Sequence, residues 1–171
     1  MTEEKLGAMH LGTLDAPVKV EAFVNMACPY SVNFFKAADR VLVPLTDQGM
    51  VSYTIKHFDK PKVGLLHGTI ANLYLDYSNP EKAYNIMKEM FENQKEWAST
   101  DSRFIMKKME EEYGLEEQSR TMNLSLAITQ EAQERGIGGI PTVFINGEPF
   151  KFNLKGGPTS IEKELIEAVR G

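Results

Sequence analysis

Residues 18–58 read as one strand–helix–strand unit, and that unit decides most of what the chain can fold into. Val18-Lys19-Val20-Glu21-Ala22-Phe23-Val24 is a short, largely apolar run, which predicts a strand over about 18–25. Pro29 follows at a helix start, where the N–H that proline lacks would have no partner anyway. Phe34, Phe35, Ala38, Val41, Leu42 and Leu45 then share one helical face. Pro44 is expected to kink or shorten the last turn, and Gly49 to end it. Met50 to Phe58 alternates and is partly β-branched or aromatic, the pattern of a second strand. A connection of this length between two strands implies a right-handed parallel crossover.

The flanking segments extend that unit. Residues 1–16 are polar and rich in small residues, and are expected to form a loosely held arm that turns at Asp15-Ala16-Pro17. From about 62 to 135 the pattern is helical. Leu66, Ile70, Leu73, Tyr74 and Tyr77 fall on one face of a first helix. Asn79-Pro80 starts a second, with Ala83, Ile86, Met87, Met90 and Phe91 inward. Thr100 or Asp101 opens a third through Tyr113, and a fourth is expected from about 115 to 135. Pro141-Thr142-Val143-Phe144-Ile145 then reads as a strand, Asn146-Gly147 as a hairpin turn, and Pro149 to Leu154 as the return strand. Thr159 and Glu162 have the spacing of a capping box, opening a last helix over about 159–170. The expected fold class is α/β, with one domain built from 17–61 and 136–171 and a helical subdomain, 62–135, inserted into it.

Composition removes several function classes. A net charge of −5 implies no basic surface for nucleic acid. No apolar run approaches the ~18 residues that span a bilayer, so no membrane partner is expected. Met1-Thr2-Glu3-Glu4-Lys5 is not the basic start of a secretory signal, which makes the cytoplasm the expected location. The single cysteine excludes an intrachain disulfide framework and a Cys-rich zinc site. His10, His57 and His67 have no ligand spacing, so no metal is expected, and each reads as a surface or hydrogen-bonded residue. Oligomeric state is not legible.

The chemistry concentrates at Cys28-Pro29-Tyr30-Ser31, between the first strand and the helix. There the sulfur would sit at a helix N-terminus, where unpaired N–H groups and the positive dipole end favour a thiolate. Cys28 is therefore expected to be reactive, against the alternative of an inert buried cysteine. A redox dithiol needs a second sulfur three residues on, and that place holds Ser31. Its hydroxyl either donates to the Cys28 thiolate or is a tolerated small residue. Tyr30 is placed to shape a substrate groove or is an ordinary surface aromatic.

The order of elements, with Cys28-Pro29-Tyr30 after strand one and Gly139-Ile140-Pro141-Thr142 before the hairpin, resembles the DsbA-like family of the thioredoxin fold. The resemblance implies a thioredoxin-like fold with a helical insertion after the first βαβ. It implies that Cys28 is the attacking thiol, that Pro141 is a cis-proline preceded by Ile140, and that this loop, with Pro29 and Tyr30, holds an extended protein or peptide substrate. Ser31 occupies the position where that family usually has its resolving cysteine.

Three functions fit. The first is a monothiol thiol–disulfide oxidoreductase or isomerase, in which Cys28 attacks, Ser31 assists and an external thiol releases the product. No bound cofactor is implied, although a soluble thiol such as glutathione would serve as co-substrate. The second is a glutathione-dependent transferase or isomerase, and the third a redox-inactive module that binds peptide.

Overall fold

The structure, a computed structural model, describes residues 8–170. Its centre is a five-stranded sheet in the order β1-β3-β2-β4-β5, made of β1 (Met9–Leu11), β2 (Val18–Val24), β3 (Val51–His57), β4 (Thr142–Ile145) and β5 (Glu148–Pro149). β2 and β3 are parallel, with Val24 opposite His57, so both strands end at the same edge. β4 runs antiparallel to β2 on its other side. The crossover between β2 and β3 is α1 (Pro29–Asp47), which runs on through Pro44 and ends at Gly49 with a positive φ of 74°.

Val20, Ala22 and Val24 point from β2 into the main core, together with Phe34, Phe35, Ala38 and Leu42 of α1. Phe23 points the other way, into a second cluster with Phe58, Ile128, Ala132 and Ile137. A central strand buried on both faces explains why β2 reads as an apolar run and not as a clean alternation.

Between β3 and β4 lie a 3-10 turn (Val63–Leu65), α2 (Leu66–Asn72), α3 (Pro80–Glu92), α4 (Gln94–Trp97), α5 (Ser102–Lys107) with a π turn (Lys108–Glu112), and α6 (Ser119–Glu134). Ala83, Ile86, Met87, Met90 and Phe91 of α3 are all buried, as their spacing predicts. They pack in the same cluster as the sheet, with Phe35 4.6 Å from Phe91 between ring centroids. The chain closes with α7 (Gly157–Arg170).

Several boundaries differ from expectation. Within the expected arm, Ala8 and Met9 are buried and Met9–Leu11 pairs antiparallel with β3, covering a strand edge; residues 1–7 lie outside the described residues. The first helix of the insert stops at Asn72, and Leu66, expected inward, is 49% exposed. The third helix passes into the π turn before Gly114. The fourth begins at Ser119 because the Gln118 N–H is taken by the Leu73 carbonyl at 2.8 Å. The return strand shrinks to Glu148–Pro149: proline has no N–H for the ladder, the Phe150 N–H makes a last bond to the Val143 carbonyl at 2.8 Å, and Phe152 beyond it packs against Phe150 and Phe34. The last helix starts at Gly157, with Pro158 in its first turn, so Thr159 and Glu162 lie inside it and do not cap it.

Candidate active site

The two parallel strands deliver Asn25 and Phe58 to the same edge, one residue beyond Val24 and His57. Binding sites in open α/β sheets form at the carboxyl ends of the strands, and here the turn Asn25-Met26-Ala27 leads straight into Cys28. The turn is buried, so each of its backbone polar groups needs a partner. The Ala27 N–H donates to Asn25 Oδ1 at 2.9 Å, and Asn25 Nδ2 donates to the Phe58 carbonyl at 3.1 Å. The Asn25 N–H donates to Ser31 Oγ at 3.2 Å. The Met26 N–H donates to His57 Nε2 at 2.9 Å, while the Met26 carbonyl accepts from Gln94 Nε2 of α4 at 2.6 Å. Side chains from two strand ends and from the insert therefore fix this turn.

Cys28 is the N-cap residue of α1, with φ −83° and ψ 121°, and its own carbonyl accepts from Val32 at 3.3 Å. It is 6% exposed, and Pro29 and Tyr30 beside it are exposed, Tyr30 by 40%. The first turn of α1 carries no acidic side chain, so nothing there offsets the positive end of the helix dipole. Cys28 Sγ donates to the Ile140 carbonyl at 3.7 Å. The Ile140–Pro141 bond is cis, and Pro141 is buried next to Thr142 at the head of β4. The loop leading to it is held by Thr142 Oγ1 donating to the Gly139 carbonyl at 2.7 Å and by Lys60 Nζ donating to the Gly138 carbonyl at 2.5 Å.

The six residues singled out in the sequence thus gather at one place: Cys28, Pro29, Tyr30 and Ser31 at the start of α1, Ile140 and Pro141 across from them. Ser31 is fully buried, and the bond its hydroxyl makes is to the Asn25 N–H. Sequence reading missed Asn25, Gly68 and Gln94 and gave His57 no special part. Gly68 of α2 lies so close to the turn that a Cβ there would stand 1.9 Å from Asn25 Oδ1 and 2.7 Å from the Ala27 nitrogen. The signal that points to Asn25 and His57 is their place at the ends of two parallel strands. For Gln94 and Gly68, distant in sequence, no local signal exists. Among the described residues no cluster of His, Cys, Asp or Glu is arranged to hold a metal ion, and no helix is long and apolar enough to cross a membrane.

A family model described as Thioredoxin matches residues 4–162. The chain belongs to the thioredoxin family. Among solved structures, this thioredoxin-family chain is similar to a conserved protein of unknown function from Enterococcus faecalis V583, at 32% identity and a TM-score of 0.85 over 96% of this chain and 90% of that one. Its fold is shared with a protein-disulfide isomerase from Novosphingobium aromaticivorans (16% identity, TM-score 0.71, 96% and 98% covered). It is shared also with oxidised BdbD from Bacillus subtilis (16% identity, TM-score 0.59, 96% and 94% covered). No curated protein matches the sequence.

Proposed function

We propose that this thioredoxin-family protein carries out thiol–disulfide exchange on protein or peptide substrates through Cys28 alone. The observation that carries the reading is the seat of the sulfur: at the N-terminus of α1 and 3.7 Å from the Ile140 carbonyl. A helix N-terminus favours the thiolate, which is the nucleophile. The folds of a protein-disulfide isomerase and of oxidised BdbD support the same class of chemistry.

In the first step the Cys28 thiolate attacks one sulfur of a substrate disulfide. A Cys28–substrate S–S bond forms, the original S–S bond breaks, and the second substrate sulfur leaves as a thiolate. With serine at position 31 no internal sulfur resolves this adduct. An external thiolate, from a soluble thiol such as glutathione or from the substrate itself, attacks the substrate sulfur, and Cys28 departs as thiolate. One disulfide is exchanged for another and the protein stores no electrons, so isomerisation or removal of a small-thiol adduct suits it better than net oxidation. Ser31 Oγ accepts the Asn25 N–H and so helps to hold the turn that carries Cys28. Tyr30 and Pro29 form the exposed wall beside the sulfur, and the Gly139-Ile140-Pro141 loop offers backbone to an extended chain.

Turnover of a glutathionylated or scrambled substrate, compared between wild type and Cys28→Ser, tests this. Loss of turnover to background in the variant is expected, and equal rates would overturn the reading. The low exposure of Cys28, 6%, favours a second reading, a redox-silent module that binds extended peptide at the same loop. Peptide binding by a wild type that fails to exchange would select it.

A further inference from the structure

The exchange chemistry uses Cys28 and its neighbours, but it leaves a buried polar chain behind them without a task. His57 is 2% exposed, and its two ring nitrogens are both engaged. Nε2 faces the Met26 N–H at 2.9 Å, and Nδ1 faces Asp59 Oδ1 at 2.7 Å. A backbone N–H can only donate, so Nε2 must accept, and the ring proton must lie on Nδ1, directed at the carboxylate. Asp59 Oδ2 in turn accepts from Asn72 Nδ2 at 2.9 Å and from the Ser125 hydroxyl, and Asn72 Oδ1 accepts from Tyr77. The chain of bonds therefore runs from α6 and α2, through Asp59 and His57, to the amide two residues before the sulfur.

We infer that His57 is a positioning residue for Cys28, acting as an acceptor that Asp59 holds in one tautomer. Its role rests on the exchange function proposed above. Both backbone polar groups of Met26 are fixed, its N–H by His57 and its carbonyl by Gln94. Removing the His57 acceptor leaves a buried N–H unpaired, and the turn must shift to find another partner. Cys28 moves with that turn, away from the helix axis and from Ile140. A misplacement of about 1 Å at a reacting atom is enough to slow a reaction severely.

The chemistry of the side chains offers a clean separation. In His57→Gln the amide oxygen reaches the place of Nε2 and still accepts from Met26. In His57→Asn the amide reaches only the place of Nδ1, so the contact with Asp59 survives and the acceptor for Met26 is lost. Asp59→Asn is nearly isosteric; its amide can donate to Nδ1, which drives the ring proton to Nε2 and sets donor against donor at Met26.

The experiment follows formation of the Cys28–glutathione mixed disulfide from glutathione disulfide by intact mass, with the released glutathione thiolate as the other product. Each variant is the full chain, and near-UV circular dichroism checks its fold. Relative to wild type, His57→Asn and Asp59→Asn are expected to react about 10-fold slower, and His57→Gln within about 2-fold. Rescue by Gln but not by Asn is a pattern that a merely structural histidine would not give. Equal rates for His57→Asn and wild type, or equal losses in the Gln and Asn variants, would overturn the inference while leaving the exchange function standing. If His57→Asn fails to fold, Asp59→Asn decides: a wild-type rate there overturns the inference. A wild type that forms no mixed disulfide would overturn the exchange function and this role together.

Discussion

At the scale of single residues, the site depends on how little space and how few unpaired groups the turn before Cys28 allows. Gly68→Ala sets two effects against each other. Alanine gains up to about 1 kcal/mol of helix propensity over glycine. The new Cβ meets Asn25 Oδ1 at 1.9 Å and the Ala27 backbone nitrogen at 2.7 Å, and backbone cannot step aside as a flexible side chain does. Overpacking of that kind costs about 1–3 kcal/mol, so net destabilisation is expected. Urea unfolding checks it; a variant as stable as wild type would show that the turn is not held as described. Ser31→Ala leaves the buried Asn25 N–H without its acceptor and is expected to lose about 1–3 kcal/mol in the same measurement. Cys28 and Ser31 were legible in the sequence because their meaning is local, a thiol between a strand and a helix-starting proline with a hydroxyl three residues on, whereas Pro141 was legible only through the resemblance to the DsbA-like family. Asn25, His57 and Gln94 were not, because each acts on a partner that the fold alone brings near. His57 lies 31 positions from Met26, and Gln94 lies 68.

At the scale of elements, one charge network ties the face of the sheet behind Phe23 to α6. Lys56 of β3 binds Glu21 of β2 at 2.6 Å and Glu131 of α6 at 2.7 Å. Arg135, just past α6, binds Glu21 at 2.8 Å and Glu131 at 3.0 Å, and its guanidinium stands 4.4 Å from the centre of the Phe144 ring. Burial pushes the Glu21 carboxyl up, but hydrogen bonds from Arg135 and Lys56 outweigh it and hold the carboxyl below its ordinary value of 4.5. A carboxyl lowered in the folded state stabilises the fold above its unfolded pKa, and that stability is lost as pH falls through the folded value. Arg135→Met is therefore expected to destabilise by on the order of 1 kcal/mol at neutral pH, after solvent screening. The wild-type and variant stability curves should converge as pH falls from 4.5 through the lowered folded value, below which Glu21 is protonated in both folded and unfolded chains. Parallel curves across that range would remove Glu21 from the account. Such networks leave no mark in a sequence read for hydrophobic period. Element ends were lost for a related reason: Gln118 is held out of α6 by Leu73, and past Phe150 the chain turns from the sheet as Phe152 packs on Phe34.

At the scale of the whole molecule, the order βαβ, helices, ββα was legible, without the short β1 that precedes it, because each of those elements carries its own period and its own terminating residues. The packing between them was not. Inserted helices α2 to α5 share one hydrophobic cluster with the sheet and α1, while α6 packs Ile128 and Ala132 into the second cluster behind Phe23; Trp97, fully buried, belongs to the first, with its indole N–H donating to the Met90 carbonyl at 2.8 Å. A shared core predicts one cooperative unfolding transition. Fluorescence of Trp97, the single tryptophan, and far-UV circular dichroism are expected to give coincident midpoints in urea, whereas a separate early transition of the fluorescence would mean that the insert folds on its own. The fold thus brings a thiol at the end of one helix, a proline loop from the far end of the chain and a turn braced by the insert into one site.

The reactivity of that thiol toward a disulfide is the most direct test of the whole account. Wild-type protein mixed with glutathione disulfide near pH 6 should form a single Cys28 adduct far faster than an unstructured cysteine peptide does, and added free thiol should release it. A rate at or below that of the peptide, or an adduct that free thiol leaves in place, would contradict it.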